Sequence, residues 1–388
     1  MRSGSPLTPA AEFATADTPP LLAITMGDPA GVGPELLSMA AQPDALSDPC
    51  LPLLIGCPEV LQRAAALQNR SLPLTLLDFT GVAPDEFRRQ VAEVISQSRV
   101  ACCNPTRPDA ARTPPGTISA AGGDAAFRCL QLAASLALSG HADAIVTAPL
   151  NKESLHQAGH RYPGHTEILA ERCGVSEFAM MLHLPETALQ PLRNLLLDSP
   201  AAEQAGVAHG LSIAHVTLHT SVASVPGLLT PDAVNATVRL MHGFLNSIGC
   251  PRRSIAVCAL NPHGGEHGLF GDEEGRIIEP AIAAVEKLCN VHGPLPADTA
   301  IRRAVLGEFD GIVAMYHDQG HIPVKLIGFD AAINITLGLP IIRTSPTHGT
   351  AFDIAWKQPQ RVKPSGFLEA MRMACRMVQG ARAAGKGC

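Results

Sequence analysis

The chain has 388 residues, of which 46% are apolar and 16% charged, enough for two domains with sizeable cores. Its net charge of −6, with no lysine or arginine run, argues against nucleic acid or an anionic membrane as a partner, and no apolar stretch approaches the roughly 18 residues of a membrane span. The 11 cysteines are scattered without a C-x-x-C spacing, which suits a reduced, cytoplasmic protein better than a disulfide framework.

The opening stretch, MRSGSPLTPAAEFATADTPP, lacks the apolar core of a signal peptide and reads as a disordered leader over residues 1–20. From there apolar runs alternate with amphipathic stretches. LLAITM is strand-like and PELLSMAAQ helical, with Pro34 suited to the first turn. LPLLIG and LPLTLLDF read as strands, with the helix PEVLQRAAALQ between them. DAAFRCLQLAASLALSG is a long helix leading into the strand ADAIVTAPL, and NKESLHQAG is a helix capped by Asn151. Pro185 to Gly210 reads as an irregular inserted loop. SIAHVTLH, PDAVNATVRLMHGFLNSIG, SIAVCALNP, IIEPAIAAVEKLCN, ADTAIRRAVLGEF and GIVAMYH continue the alternation, and GFLEAMRMACRMVQGARAAG closes it as a helix. Such alternation predicts an α/β fold whose mainly parallel sheet carries helices on both faces.

Three of these apolar runs stop at a histidine: SIAHVTLH at His219, SIAVCALNPH at His263 and GIVAMYH at His317. Ligands collect at the carboxyl ends of strands in open α/β sheets. Three imidazoles delivered there could form a metal site with an open position, the catalytic pattern. The competing reading is three separate, hydrogen-bonded strand-end histidines. His321 lies four residues after His317, but Gly320 and Pro323 argue for a loop there, which makes His317 the better ligand.

Other motifs carry weaker signals. GDPAGVGPE, Gly27 to Glu35, is a strand-to-helix loop whose backbone N–H groups would suit an anion; an ordinary tight turn is equally compatible. His165 and Thr166 in YPGHTE offer hydrogen-bonding groups in a turn stiffened by glycine and proline. His263-Gly264-Gly265-Glu266-His267 matches the H-x-x-E-H string of zinc peptidases. That chemistry needs both histidines on one helix, and two glycines after Asn-Pro disfavour it. Lys325, Asn334 and Arg343 would suit a phosphate or carboxylate if they reach one pocket; otherwise they are unrelated surface residues.

Taken together, GDPAGVGPE, TAPLNKESLHQAGHRYPGHTE, NPHGGEHGLFGDEE, MYHDQGHIPVKLIGFD and INITLGLPIIRTSPTHGTAFDIA resemble the 4-hydroxythreonine-4-phosphate dehydrogenase (PdxA) family, from about Leu21 onward. The similarity is greatest to its 4-phospho-D-threonate/4-phospho-D-erythronate branch. The resemblance implies an isocitrate/isopropylmalate dehydrogenase-like fold of two α/β domains with a cleft between them. Residues 21–149 with 320–388 would form an outer domain, and residues 150–319 a central one carrying metal ligands and dimer contacts. It implies a homodimer that uses NAD, with NADP also open, and a divalent metal, zinc, cobalt, nickel or magnesium. His219, His263 and His317 match metal ligands shared across the dimer interface. His165, Thr166, Lys325, Asn334 and Arg343 match substrate contacts, and Asp298 aligns near the substrate. The implied reaction is oxidation, with decarboxylation, of a phosphorylated 3-hydroxy acid.

The resemblance assigns neither the proton acceptor nor the cofactor contacts. One departure from the family pattern is Ala223, where an arginine usually stands four residues after the first metal histidine. That leaves open a same-fold dehydrogenase of a non-phosphorylated cis-dihydrodiol acid, and more distantly a zinc hydrolase or a non-catalytic metabolite-binding protein. Arg193 in the inserted segment is a candidate replacement for the missing charge.

Overall fold

The computed structural model describes residues 18–42, 45–46, 49–196 and 209–385. Residues 1–17 of the expected leader and 197–208 of the expected inserted loop lie outside them. The strands are β1 (Leu21–Thr25), β2 (Leu51–Ile55), β3 (Leu74–Leu76), β4 (Val100–Cys103), β5 (Ala144–Thr147), β6 (Ala179–Leu184), β7 (Leu211–His215), β8 (Ile255–Cys258), β9 (Val291–Leu295), β10 (Gly311–Ala314), β11 (Ile333–Leu337) and β12 (Ile342–Pro346). They form one sheet in the order β3-β4-β2-β1-β5-β12-β11-β6-β7-β10-β8-β9.

The strands from β3 to β12 in that order are parallel to one another, as are β7, β10, β8 and β9. Between these blocks, β11 is antiparallel to β12 and to β6, and β6 is antiparallel to β7. The two blocks therefore run in opposite senses and meet at β11 and β6.

The period of two that buries both faces of a sheet is visible in the cores. On β1, Leu22 and Ile24 join one apolar cluster while Leu21 and Ala23 join another on the opposite face. In the second block, Ile255 and Val257 pack on one face and Ala256 and Cys258 on the other. Helices supply the covering layers; Phe367, Met371 and Ala374 of the closing helix Ser365–Ala383 are buried in the first cluster.

Several sequence expectations need correction. β7, β10 and β8 are adjacent and parallel, so the loops that follow them leave one edge of the sheet. The histidines are not strand-terminal, however: β7 ends at His215, β8 at Cys258 and β10 at Ala314. Part of the supposed inserted loop is the helix Glu186–Leu196. The segment after His317, expected to be a loop, is the helix His317–Gly328.

Gly320 explains why that helix forms despite its sequence. A Cβ at this position would lie 2.3 Å from Nε2 of His215, so the missing side chain is the space the His215 ring fills. A helix-interior glycine costs about 1 kcal/mol relative to alanine, and here packing outweighs that penalty. The Gly320→Ala variant is therefore expected to be less stable than wild type by about 1–3 kcal/mol, the usual cost of overpacking, although alanine is the better helix former. Equilibrium urea unfolding checks this; an increase in the midpoint would show that the contact is slack.

Candidate active site

One cavity of about 600 Å³ sits where the two blocks of the sheet meet. Met180 of β6, Asn334 of β11 and Arg343 of β12 form its floor. His165, Thr166 and Glu167 enter from the first turn of the helix His165–Cys173, with Lys152 beside them. His215 and His219 come from β7 and the loop after it, and His317, His321 and Lys325 from successive turns of the His317–Gly328 helix.

Seven of the nine residues singled out from the sequence thus share one cavity. Lys325, Asn334 and Arg343 converge. His165 and Thr166 begin a helix rather than forming part of a rigid turn. Asp298 is exposed on the helix Ala297–Val305 and does not line the cavity.

Arg343 is buried, at 2% exposure. Its Nη2 donates to Thr147 Oγ1 at 2.7 Å, its Nε to the same oxygen at 3.2 Å, and its Nη1 to Thr336 Oγ1 at 3.2 Å. A guanidinium has five N–H donors, so two remain for a ligand. Burial lowers its pKa to about 10, partly opposed by Glu167, so it stays charged at neutral pH. The buried Oδ1 of Asn334 has no hydrogen-bond partner among the described residues. An unpaired buried acceptor beside free guanidinium donors suits a polar, anionic ligand.

Four of the cavity imidazoles, His165, His215, His219 and His321, are held neutral. Burial, then Arg343, keeps His165 well below the ordinary range. Burial, then Lys152, lowers His219. Burial takes His215 to about 4, and burial with the neighbouring His215 and His317 takes His321 to about 3. Neutral imidazole is the form that binds a metal.

His219 and His317 face each other with ring centroids 6.2 Å apart. His317 Nδ1 pairs with Asp318 Oδ1 at 2.7 Å, which leaves Nε2 for a ligand, as in carboxylate–histidine–metal arrangements. Two imidazoles are one short of the three protein ligands usual at catalytic zinc. His263 does not supply the third within this chain. It lines a separate cavity of about 930 Å³ with Glu266, His267 and Asp272. Among the described residues, no group of three or more His, Cys, Asp or Glu side chains is arranged to hold a metal ion.

The H-x-x-E-H segment is not a peptidase helix. His263, Gly264, Gly265, Glu266 and His267 all have positive φ, between 42° and 77°, so the two histidines do not share a face of an ordinary α-helix. Non-glycine residues carry roughly 1–2 kcal/mol of strain each in that region, which makes this turn a built feature.

Two further expectations are corrected. Arg193 does not replace the charge missing at Ala223, because it is buried elsewhere: its Nη1 pairs with Glu186 and its Nε donates to the Val305 carbonyl. The cation that the sequence did not single out is Lys152, on the cavity wall and acting on His219. The anion-binding reading of GDPAGVGPE loses most of its donors. The amides of Asp28, Ala30, Gly31 and Val32 are already bonded to Pro149 O, Asp28 Oδ1, Asp28 O and Thr350 O.

That loop instead buries Asp28 completely, with Oδ2 lacking a partner among the described residues, and burial raises its pKa to about 6. A raised carboxyl keeps its proton in the fold after the unfolded chain has lost it. The Asp28 contribution to stability is then most favourable below about pH 4 and is lost between about pH 4 and 6. The Asp28→Asn variant is expected to gain on the order of 2–3 kcal/mol at pH 7.5, and the gain should vanish near pH 4. Urea unfolding at both pH values checks this; a gain that does not change with pH would contradict it.

Comparison with known proteins places this geometry. Residues 48–374 match the family described as pyridoxal phosphate biosynthetic protein PdxA. A D-threonate 4-phosphate dehydrogenase of Pectobacterium atrosepticum is 38% identical over 359 residues, covering 92% of this chain and 99% of its own. A 4-hydroxythreonine-4-phosphate dehydrogenase of Geobacter metallireducens is 40% identical over 372 residues, covering 96% and 98%. The crystal structure of a 4-hydroxythreonine-4-phosphate dehydrogenase from Klebsiella pneumoniae superposes with a TM-score of 0.73 at 39% identity, covering 92% of this chain and 99% of that one. The fold is accordingly isocitrate/isopropylmalate dehydrogenase-like.

Proposed function

The chain belongs to the PdxA family of dehydrogenases, and we propose that it oxidises a phosphorylated 3-hydroxy acid, such as D-threonate 4-phosphate, with a nicotinamide cofactor and a divalent metal. The observation that carries this reading is the convergence of Arg343, Lys325, Asn334, His165 and Thr166 on the cavity that also holds His219 and His317.

The residues divide the work. Arg343, with two donors free, and Lys325 bind the phosphate. Asn334 Oδ1 accepts a hydrogen bond from the substrate, and His165 and Thr166 fix its orientation. His219 and His317, with His263 of the partner subunit, would hold the metal. When bound, such a cation lowers the pKa of the alcohol and stabilises negative charge on its oxygen. A nicotinamide cofactor would supply the hydride acceptor for the carbinol carbon, and the same residues would hold the resulting 3-keto acid while its C1 carboxylate is lost as CO₂. Three imidazoles favour zinc, cobalt or nickel; magnesium would need oxygen ligands as well. NAD is the expected cofactor, with NADP as the variant to test.

A homodimer follows from the same reading. His263 lies outside the cavity of its own chain. Exposed Val222, Leu269, Ile322, Leu326 and Phe329, in segments that also carry the metal-candidate histidines, give a second subunit an apolar surface to cover. No helix among the described residues is long and apolar enough to cross a membrane.

The test is absorbance at the NADH wavelength with D-threonate 4-phosphate, D-erythronate 4-phosphate, 4-hydroxythreonine 4-phosphate and a cis-dihydrodiol carboxylic acid, each with and without a chelator. Oxidation of a phosphorylated acid that stops on chelation is the expected result. Turnover of the dihydrodiol acid alone would move the protein to the other branch, and activity that survives complete metal removal would refute the metal's role.

A further inference from the structure

Resting on the cavity as the site of a phosphorylated 3-hydroxy acid, we propose that His321, braced by His215, reads the carbon next to the reacting carbinol. It accepts a hydrogen bond from a hydroxyl there, and so selects 2,3-dihydroxy acids over 2-amino acids.

The geometry assigns the proton on His321. Its Nδ1 lies 3.2 Å from the carbonyl oxygen of His317. A carbonyl only accepts, so in the neutral ring Nδ1 carries the hydrogen and Nε2 carries the lone pair. The ring lines the cavity and is 7% exposed. It stacks on His317 with centroids 3.6 Å apart and an interplanar angle of 10°. A substituent that reaches His321 therefore sits beside the ligand position at His317, where the reacting carbinol oxygen would lie, as neighbouring carbons of one substrate require.

His215 holds this arrangement. It is 3% exposed and lines the same cavity, with its ring 4.8 Å from that of His321. Its Nδ1 lies 3.3 Å from the Met180 carbonyl, and its buried Nε2 has no hydrogen-bond partner among the described residues. The absent side chain of Gly320 gives it room. His215 is a positioning residue and His321 the reader.

The surrounding charge selects a neutral donor. Lys325 follows His321 by one helical turn, and Lys152 and Arg343 share the cavity. Glu167, the one carboxylate on the described cavity wall, acts on Arg343 and His219 instead. An ammonium beside His321 would add a charge that no side-chain carboxylate of the described wall meets there; a hydroxyl would donate to Nε2 and add none.

The test uses metal-loaded dimeric enzyme and three acids: a 2,3-dihydroxy-4-phospho acid, its 2-deoxy analogue and its 2-amino analogue. For wild type, His321→Leu and His321→Gln, kcat/KM is measured, and Kd by calorimetry without the nicotinamide. The expected result is a dihydroxy-to-deoxy ratio that falls about tenfold or more in His321→Leu, in both kcat/KM and Kd, and is largely restored in His321→Gln, whose amide oxygen still accepts. A His321→Leu variant that weakens all three acids by one common factor would make the residue merely structural and overturn the proposal. So would a wild type that prefers the 2-amino acid. Failure of the dehydrogenase reading looks different: no NADH forms from any acid, while the Kd ratio still decides the role of His321. If no acid binds, both ideas fall.

Discussion

Mixing two inactive variants, His317→Ala and His263→Ala, is expected to restore about a quarter of wild-type activity, the share of intact sites when random dimers each build two sites from both subunits. Each variant alone should lose on the order of a thousandfold in kcat if these histidines hold the proposed metal, because a catalytic metal typically lowers the barrier by several kcal/mol. The expectation comes from where the histidines stand. His219 and His317 face each other across 6.2 Å, while His263 opens into a different cavity on a left-handed turn. A mixed dimer contains one site that lacks two ligands and one that lacks none. Co-refolding the variants with two different affinity tags, and purifying through both in turn, isolates that mixed dimer for assay. Its activity should be about half that of wild type. An inactive mixed dimer would mean that His263 serves its own chain, and that the turn carrying it rearranges to do so.

What the sequence made legible follows from how each signal is encoded. Continuous apolar runs such as LLAITM and SIAVCA give strands because burial on both faces leaves no room for polar side chains, and all of these runs became strands. The antiparallel meeting of the two blocks at β11 and β6 was not legible, since strand direction depends on pairings between distant segments. The convergence of Lys325, Asn334 and Arg343 was likewise only conditional until those pairings placed β11 beside β12. Gly320 and Pro323 misled because local propensity opposes a helix there, and the His215 ring and Ile213 of β7, packed against that helix, account for the glycine. His215 itself looked like one more apolar-run residue. Its role appears when β7 sets it under the His317–Gly328 helix. Lys152 was visible only as part of a helix start, and nothing local marks it as the cation beside His219.

Replacing Arg343 with methionine is expected to raise KM for the phosphorylated substrate by on the order of a hundredfold or more, the cost of truncating one partner of a buried charge pair, without lowering stability. The retained stability is the more diagnostic of the two outcomes. Arg343 is 2% exposed, and its pKa is lowered to about 10 by burial. For a base this means that the fold strains against the charge: at neutral pH the full penalty is present, on the order of 3 kcal/mol, and it would lessen only above about pH 10. Two threonine hydroxyls solvate the guanidinium, and Glu167 offsets part of the charge. A residue kept at such a cost without a full partner is placed for a ligand. Methionine of similar length removes the charge and leaves hydroxyls that can turn to other acceptors, so the melting temperature should hold or rise. Inorganic phosphate should raise the melting temperature of wild type through binding to the folded state, and should not raise that of the variant. Arg343→Lys should behave like methionine in binding, because a single ammonium cannot reproduce a fork that bonds Thr147 and Thr336 and still presents two donors. A KM within threefold of wild type in the methionine variant, with phosphate stabilisation retained, would remove Arg343 from the phosphate site and leave Lys325 and Lys152 as the cations that hold it.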